Sequence, residues 1–182
     1  YKNFVLSQDT SISIEKYIKQ NGGTVFRSKV GEVNVVGKMI ETKSQAGGEG
    51  SSGGFILSDF NYCRDGILTS GLIASIIKKD SLVDALNFME KYHLLRDKVE
   101  YDSQYHDGIL KALHGKMKEK YGNVETLDGL KVIIDEDSWA LVRRSNTENA
   151  IRISAESNSL EIVRNIHLEI KDLIKQSYEQ IK

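Results

Sequence analysis

The first part of the chain alternates between short apolar strands and amphipathic helices. Asn3–Ser7 and Thr24–Val30 are rich in β-branched and aromatic residues, which predicts two buried strands. The segment between them repeats apolar residues at helical spacing and ends at Gly22, and a second helix is predicted over Glu32–Thr42. The apolar face expected for that second helix consists of Val33, Val36 and Ile40. Strands and helices that alternate with short joints are typical of an α/β layer.

A glycine-rich stretch and a very apolar helix follow these elements. Ala46–Gly54 contains five glycines in nine residues and leads into a predicted strand at Phe55–Leu57. Residues Ile67–Ile77 are apolar over most of a helical circumference, which predicts a buried helix. Asp65 stands where an N-cap would accept hydrogen bonds from the first turn.

A second domain is predicted from the point where this pattern loosens. Leu94–Tyr101 is interpreted as a connecting strand, so we expect one domain over residues 1–101 and another over 102–182. Helices at Tyr105–Lys120 and from Ser159 onwards enclose three predicted strands. These strands are Lys131–Asp135, Trp139–Arg143 and Ile151–Ala155. The predicted fold is therefore an α/β domain with βαβ-type layers and a mixed sheet, followed by a small α+β two-layer domain.

Composition excludes several classes of function. A net charge of -1 over 182 residues argues against a nucleic-acid binder, and no apolar run approaches the roughly 18 residues that span a bilayer. The single cysteine, Cys63, forms no internal disulfide, so a cytoplasmic location is expected, and the four histidines include no metal-binding pair. The start at Tyr1, without an initiator methionine, suggests a fragment or a trimmed chain.

The most distinctive stretch is Arg143–Arg152, which connects two predicted strands. It opens with two arginines and continues with Ser145, Asn146 and Thr147. Arginine presents a planar fork of N–H donors that matches two phosphate oxygens, and the short polar side chains can donate from the sides. The stretch therefore predicts an anion-binding loop, although a solvated hairpin with ordinary turn residues has the same composition.

The glycine-rich stretch is interpreted as a second binding loop. Its only charged residue is Glu49, and a phosphate cradle would be expected to carry Lys or Arg and to open a helix. A carboxylate is better suited to accept hydrogen bonds from sugar-type hydroxyls, with Ser51 or Ser52 adding a donor. The alternative is a flexible Gly/Ser linker, which the predicted strands on both sides disfavour.

Together these motifs resemble the C-terminal half of an α-D-phosphohexomutase, the family of phosphomannomutases, phosphoglucomutases and phosphoglucosamine mutases. The similarity covers nearly the whole chain, because several motifs recur in the family's order. They are Lys29-Val30-Gly31, Gly48-Glu49-Gly50-Ser51, Asp65-Gly66, Leu127-Asp128-Gly129 and Arg143-Arg144-Ser145-Asn146-Thr147-Glu148.

The resemblance implies a role for each motif. Family members have four domains and move a phosphoryl group between C1 and C6 of a hexose phosphate through a hexose bisphosphate intermediate. By resemblance, Glu49, Ser51 or Ser52, and Lys29 contact the sugar. The loop Arg143–Thr147, with Arg144 as an added donor and Arg152 beside it, grips the phosphate that is not transferred.

Three departures from the family pattern qualify this assignment. Arg144 and Asn149 replace prolines of the usual phosphate loop, and the sugar loop is one residue longer than the commonest form. The chain also lacks the family's phosphoserine loop and its Mg²⁺-binding Asp loop, so Mg²⁺ is expected to bind outside this chain. A catalytically inactive fragment is therefore predicted. The alternative is a stand-alone, non-catalytic sugar-phosphate-binding module.

Overall fold

The computed structural model describes residues 2–182 except 51–53, 78–80, 82, 84, 85, 88 and 146. The chain divides into two compact units, Tyr1–Lys91 and Tyr92–Lys182. None of the described helices is both long enough and apolar enough to cross a membrane.

The first unit is a mixed four-stranded sheet with helices. Its elements are β1 (Asn3–Ser7), α1 (Ile12–Gln20), β2 (Thr24–Ser28), α2 (Glu32–Thr42), β3 (Ala46–Glu49), β4 (Gly54–Leu57) and α3 (Gly66–Ile77). The strand order is β2-β1-β3-β4, with β1 parallel to both of its neighbours and β4 antiparallel to β3. The α/β class with a mixed sheet is confirmed.

The buried face of α2 differs from the predicted one. Val35 and Met39 are fully buried against the sheet, whereas Val33 is 84% exposed and Ile40 is 59% exposed. Only Val36 of the predicted face packs against the core, and only partly. The helix has the predicted bounds, but a different face of it packs on the sheet. Two sets of apolar residues have helical spacing, and the set that contains Met39 is the buried one.

The apolar helix α3 is also not buried in the way its composition predicts. Asp65 caps it as expected, with its carboxylate 2.7 Å from the backbone nitrogen of Leu68. None of its side chains is buried, however, and Ile67 is 89% exposed. Its main neighbour among the described elements is β4, which is an edge strand and can cover one side only.

Half of the glycine-rich stretch is strand rather than loop. β3 includes Gly47 and Gly48, and Glu49 pairs with Gly54 of β4. A β-carbon at Gly47 would lie 2.4 Å from the Met39 sulfur, so the missing side chain lets α2 approach the sheet closely. The glycines at this end of the stretch therefore serve packing.

The second unit is an antiparallel sheet with two long helices on one face. Its elements are β5 (His93–Val99), α4 (Ser103–Tyr121), β6 (Leu130–Ile133), β7 (Trp139–Arg144), β8 (Ile151–Ser157) and α5 (Leu160–Ile181). The strand order is β5-β8-β7-β6. Side chains such as Val142, Ile151 and Ile153 pack with Ile109 of α4 and Ile170 of α5 in one core. The predicted α+β two-layer arrangement is confirmed.

The sheet of this unit has four strands where the sequence predicted three. β5 pairs with β8 in unbroken register from His93↔Ser157 to Val99↔Ile151. The structure therefore divides the chain after Lys91, whereas the sequence-based boundary lies between residues 101 and 102. The connecting strand joins the second unit because its hydrogen-bonding partner lies far along the chain, where no local pattern reveals it.

Candidate functional site

The predicted anion loop joins two neighbouring antiparallel strands of the second unit. β7 and β8 pair up to Arg143↔Arg152 and Arg144↔Ile151. The loop is closed by the backbone nitrogen of Ser145, which lies 2.9 Å from the oxygen of Ala150. Asn146 lies outside the described residues. The strands hold the arginines at the base of the loop, so their backbone positions are fixed by the sheet.

Ser145 organises the described part of the loop. Its hydroxyl oxygen lies 3.2 Å from the backbone nitrogen of Glu148 and 3.4 Å from that of Thr147. Arg152 Nε also donates to it, at 3.1 Å. The Ser145 hydroxyl oxygen therefore stabilises the turn of the loop and binds the Arg152 guanidinium at the base of the loop. Three of the predicted phosphate-site residues, Ser145, Thr147 and Arg152, are brought together by this oxygen.

The two consecutive arginines are separated by the strand. Successive side chains of a strand point to opposite faces. Arg144 pairs with Asp107 of α4 at 2.7 Å and is therefore on the helix side. Arg143 is on the face away from the helices, with Arg152, and its one side-chain hydrogen bond to a described residue goes to the Arg144 carbonyl at 3.2 Å. Arg143 is thus available to an anion, while Arg144 already has a carboxylate partner.

The glycine hairpin presents Glu49 at the end of β3. Glu49 is only 4% exposed, and its Oε2 lies 3.2 Å from NH1 of Arg64. Arg64 Nε also contacts Glu32, at 2.5 Å, and this carboxylate raises the pKa of Arg64. The Glu49 carboxylate therefore already accepts one hydrogen bond from Arg64. Ser51 and Ser52 lie outside the described residues.

A polar cluster that the sequence analysis missed supports this hairpin. Ser7 Oγ donates to Asp9 at 2.7 Å, lies 2.8 Å from Thr10 Oγ1, and accepts from the backbone nitrogen of Gly50 at 3.0 Å. A β-carbon at Gly50 would lie 2.6 Å from the Thr10 α-carbon, so only glycine fits there. The signal available in the sequence was the polar run that directly follows β1.

The geometry of the first sheet places these groups at one edge. Ser7, Lys29 and Glu49 lie at or just after the carboxyl ends of the parallel strands β1, β2 and β3. β2 lies on one side of β1 in the sheet, and β3, which follows β2 in the chain, lies on the other side of β1. In open α/β sheets, ligands bind at this kind of switch point. The predicted sugar-binding residues Lys29 and Glu49 therefore lie at the same edge of the sheet. Lys29 is exposed there.

The described residues include no group of three or more His, Cys, Asp or Glu side chains that could hold a metal ion. The carboxylates at this edge are instead paired with arginine, as for Glu49, or held by a hydroxyl, as for Asp9.

Family models match the chain in two consecutive pieces. Residues 2–92 match the model for the alpha/beta/alpha domain III of phosphoglucomutase/phosphomannomutase. Residues 98–173 match the model for the C-terminal domain of the same family. The two matches fall on the two units of the structure.

Curated relatives are similar over nearly the whole chain. A protein named "Probable phosphoglucosamine mutase" from Methanopyrus kandleri is 31% identical over 176 residues, which cover 96% of this chain and 38% of the relative. A phosphoglucomutase/phosphomannomutase from Thermococcus kodakarensis is 36% identical over 161 residues, covering 85% of this chain and 34% of the relative. The chain thus spans less than two fifths of the length of these relatives.

Solved structures share the fold at low sequence identity. A phosphoglucomutase/phosphomannomutase family protein from Burkholderia thailandensis superposes with a TM-score of 0.80 at 22% identity, over 97% of this chain and 38% of that one. An N-acetylphosphoglucosamine mutase from Aspergillus fumigatus, solved with GlcNAc-6P and magnesium, has a TM-score of 0.67 at 13% identity, over 97% and 39%. Since both domain models match in the family's own order, the chain belongs to the phosphoglucomutase/phosphomannomutase family.

Proposed function

We propose that this chain is the part of a phosphohexomutase that binds the sugar and the non-transferred phosphate of a hexose phosphate. The observation that carries the proposal is the pair Arg143 and Arg152. They are directly opposed on neighbouring strands, at the base of a loop that Ser145 closes. Like charges directly opposite each other in a sheet are unfavourable unless an anion lies near them. A phosphate dianion would meet both guanidinium groups and the loop donors Ser145 and Thr147.

The other predicted residues have separate roles in this proposal. Glu49 accepts hydrogen bonds from the sugar hydroxyls, and Ser51 or Ser52 and Lys29 contact the sugar beside it. Arg144 braces the loop through Asp107 and contributes its charge from the far side of the strand. Asn146 completes the phosphate loop.

The chemical step is assigned to groups outside these 182 residues. The activity is the interconversion of hexose 1-phosphate and hexose 6-phosphate through a hexose bisphosphate, and it requires a phosphoserine and Mg²⁺. This chain provides neither loop, so its contribution is to bind and orient the substrate. The relatives named as phosphoglucosamine mutases make an amino sugar phosphate one candidate substrate. A cytoplasmic location is proposed for the enzyme.

The test is an NMR titration of the 182-residue chain with glucose 6-phosphate, inorganic phosphate and glucose. We expect both phosphates to shift the amide resonances of residues 143–152, and glucose alone to leave them unchanged. Arg143→Ala should weaken phosphate binding roughly 10- to 150-fold, because a charge-assisted hydrogen bond contributes about 1.5–3 kcal/mol.

Lys111→Ala is the matched control, since Lys111 is an exposed cation on α4, the helix side of the sheet. It should bind as the parent does. Equal binding of glucose and glucose 6-phosphate, or an Arg143→Ala variant with unchanged affinity, would rule out the assignment of this loop.

A further inference from the structure

A third cation lies in line with the two arginines on the face of the second sheet that points away from the helices. Lys98 of β5 is directly opposite Arg152 of β8, which is directly opposite Arg143 of β7. Residues paired in this way point to the same face, with β-carbons about 5 Å apart. The neighbours Ile151 and Ile153 point to the helices, so this row of Lys98, Arg152 and Arg143 points away from them.

The row carries more positive charge than its own carboxylates neutralise. Glu148 Oε2 lies 3.3 Å from Lys98 Nζ and 3.3 Å from Arg152 NH2, so a single oxygen is shared by two cations. Glu100 lies 3.4 Å from Lys98. Arg143 has no carboxylate partner among the described residues. Three cations therefore face two carboxylates, which leaves an excess charge of about one unit in favour of an added anion.

Glu148 is held by its backbone, whereas its partly exposed side chain is held only by two long ion pairs. Its backbone nitrogen donates to Ser145 Oγ, which fixes the residue in the loop. Its side chain is 43% exposed, and both of its ion-pair distances exceed those of a close charge-assisted hydrogen bond. Glu148 also borders a cavity of about 660 Å³ that Lys98 and Asn149 help to line, so the space beside it is open.

We infer that Lys98 is an additional phosphate-binding residue and that Glu148 is an internal competitor whose carboxylate the ligand phosphate displaces. The inference rests on the proposed function, since it adds a residue and a regulating contact to the same site. A phosphate dianion carries more charge and more acceptor oxygens than one carboxylate, so it replaces Glu148 across the row. Without ligand, Glu148 keeps the opposed cations from repelling one another.

The test measures the dissociation constant of inorganic phosphate for the 182-residue chain by NMR titration. Lys98→Gln should weaken binding about two- to fivefold, because an exposed charge pair contributes modestly. Glu148→Gln should tighten binding by a similar factor, since it removes the competing charge and keeps the side-chain shape. Lys98→Gln should also reduce the dependence of phosphate binding on salt concentration, because salt then screens the attraction of one cation fewer to the phosphate.

Two variants on the opposite side of the sheet serve as controls. Lys111→Gln and Glu119→Gln make the same chemical changes at exposed positions of α4 and should leave the dissociation constant unchanged. Weaker binding by Glu148→Gln would show that Glu148 is a brace and would overturn the inference, as would an unchanged Lys98→Gln. If Arg143→Ala also had no effect, the proposed function itself would fail. If only Arg143→Ala weakened binding, the loop assignment would stand without this inference.

Discussion

At the scale of single residues, one ion pair shapes the edge that carries Glu49. Arg27 NH1 donates to the carbonyl oxygens of Ser7 and Thr10 at 2.8 and 2.9 Å, which fixes the polar turn after β1. Its Nε lies 2.8 Å from Glu15 Oε2. Burial acts to raise the pKa of Glu15, but the charge of Arg27 and hydrogen bonds from Lys19 and Arg27 outweigh it, and the pKa lies below its ordinary value. The pair therefore stabilises the turn against which Gly50 packs.

A pH dependence follows from this lowered pKa. The folded-state pKa of Glu15 lies below 4.5, so its contribution is complete above about pH 4.5 and is lost as the pH falls through the folded-state value. Glu15→Gln should destabilise the first unit at pH 7 by about 1–2 kcal/mol, since Arg27 loses its partner. The difference from the parent should shrink below pH 4.5. Hydrogen exchange of the β1 and β2 amides, at pH 7 and below pH 4.5, measures the difference in stability between the variant and the parent.

Glu41→Gln is the control for this change. Glu41 belongs to the same unit and pairs with Lys38, but its side chain is mostly exposed, so its loss should cost less than about 0.5 kcal/mol. If Glu15→Gln kept the same destabilisation at low pH, the ion pair would not be its cause.

The position of the loop Arg143–Arg152 between two strands could be predicted from sequence, but the directions of its side chains could not. Treating Arg143 and Arg144 as joint donors overlooked the alternation of a strand, which sends Arg144 toward Asp107. The position of Lys98 opposite Arg152 could not be predicted, because the pairing of β5 with β8 joins segments far apart in the chain. The motif can be recognised from the spacing of nearby residues. The register between distant strands determines which charged side chains lie opposite one another.

At the scale of elements, the start of β6 supports the strand that carries Arg143. Gly129 has φ +81°, a conformation in which a side chain is strained. A β-carbon there would lie 2.2 Å from the Val142 carbonyl oxygen and 2.8 Å from the Arg143 α-carbon. The motif Leu127-Asp128-Gly129 is thus explained by the close approach of this turn to β7, next to the proposed phosphate loop.

Gly129→Ala should therefore affect both stability and binding. We expect a loss of about 1–3 kcal/mol from the strained backbone, together with weaker phosphate binding because Arg143 is pushed from its place. Urea unfolding and phosphate titration of the same variant measure the two effects. Gly115→Ala is the control, since Gly115 lies within α4 with open space around it. It should stabilise the helix by up to about 1 kcal/mol. A Gly129→Ala variant as stable as the parent would contradict the close contact.

The bounds of the elements were easier to predict than their buried faces. α2 begins and ends where the sequence places it, yet its core residues are Val35 and Met39. Both stripes fit a period of 3.6, and only the sheet beneath the helix distinguishes them. For α3, apolarity on all sides predicted burial, but burial requires covering layers that the described neighbours do not provide.

At the scale of the whole molecule, the division after Lys91 has an experimental consequence. β5 pairs with β8 over its full length, and Leu95, Val99 and Tyr101 pack against the core of the second unit. Asp97 of the same strand lies 2.7 Å from Lys171 of α5, and the hydrogen bond from Lys171 lowers the pKa of Asp97. β5 is therefore part of the fold of the second unit.

We expect residues 92–182 to fold as a cooperative unit and residues 102–182 to lose most of that cooperativity. The shorter piece leaves β8 as an unpaired edge and exposes the core side chains that β5 covers. Urea unfolding followed by tryptophan fluorescence and far-ultraviolet circular dichroism compares the two pieces. Equal midpoints for both would place the domain boundary between residues 101 and 102 after all.

The sole tryptophan gives this chain a built-in optical reporter. Trp139 is 1% exposed, donates from its indole nitrogen to Glu156 at 2.7 Å, and has the Lys131 ammonium 4.4 Å from its ring centre. It begins β7, the strand that ends with Arg143 and Arg144. All tryptophan emission of the chain therefore originates in the second unit, on the strand that leads into the proposed phosphate loop.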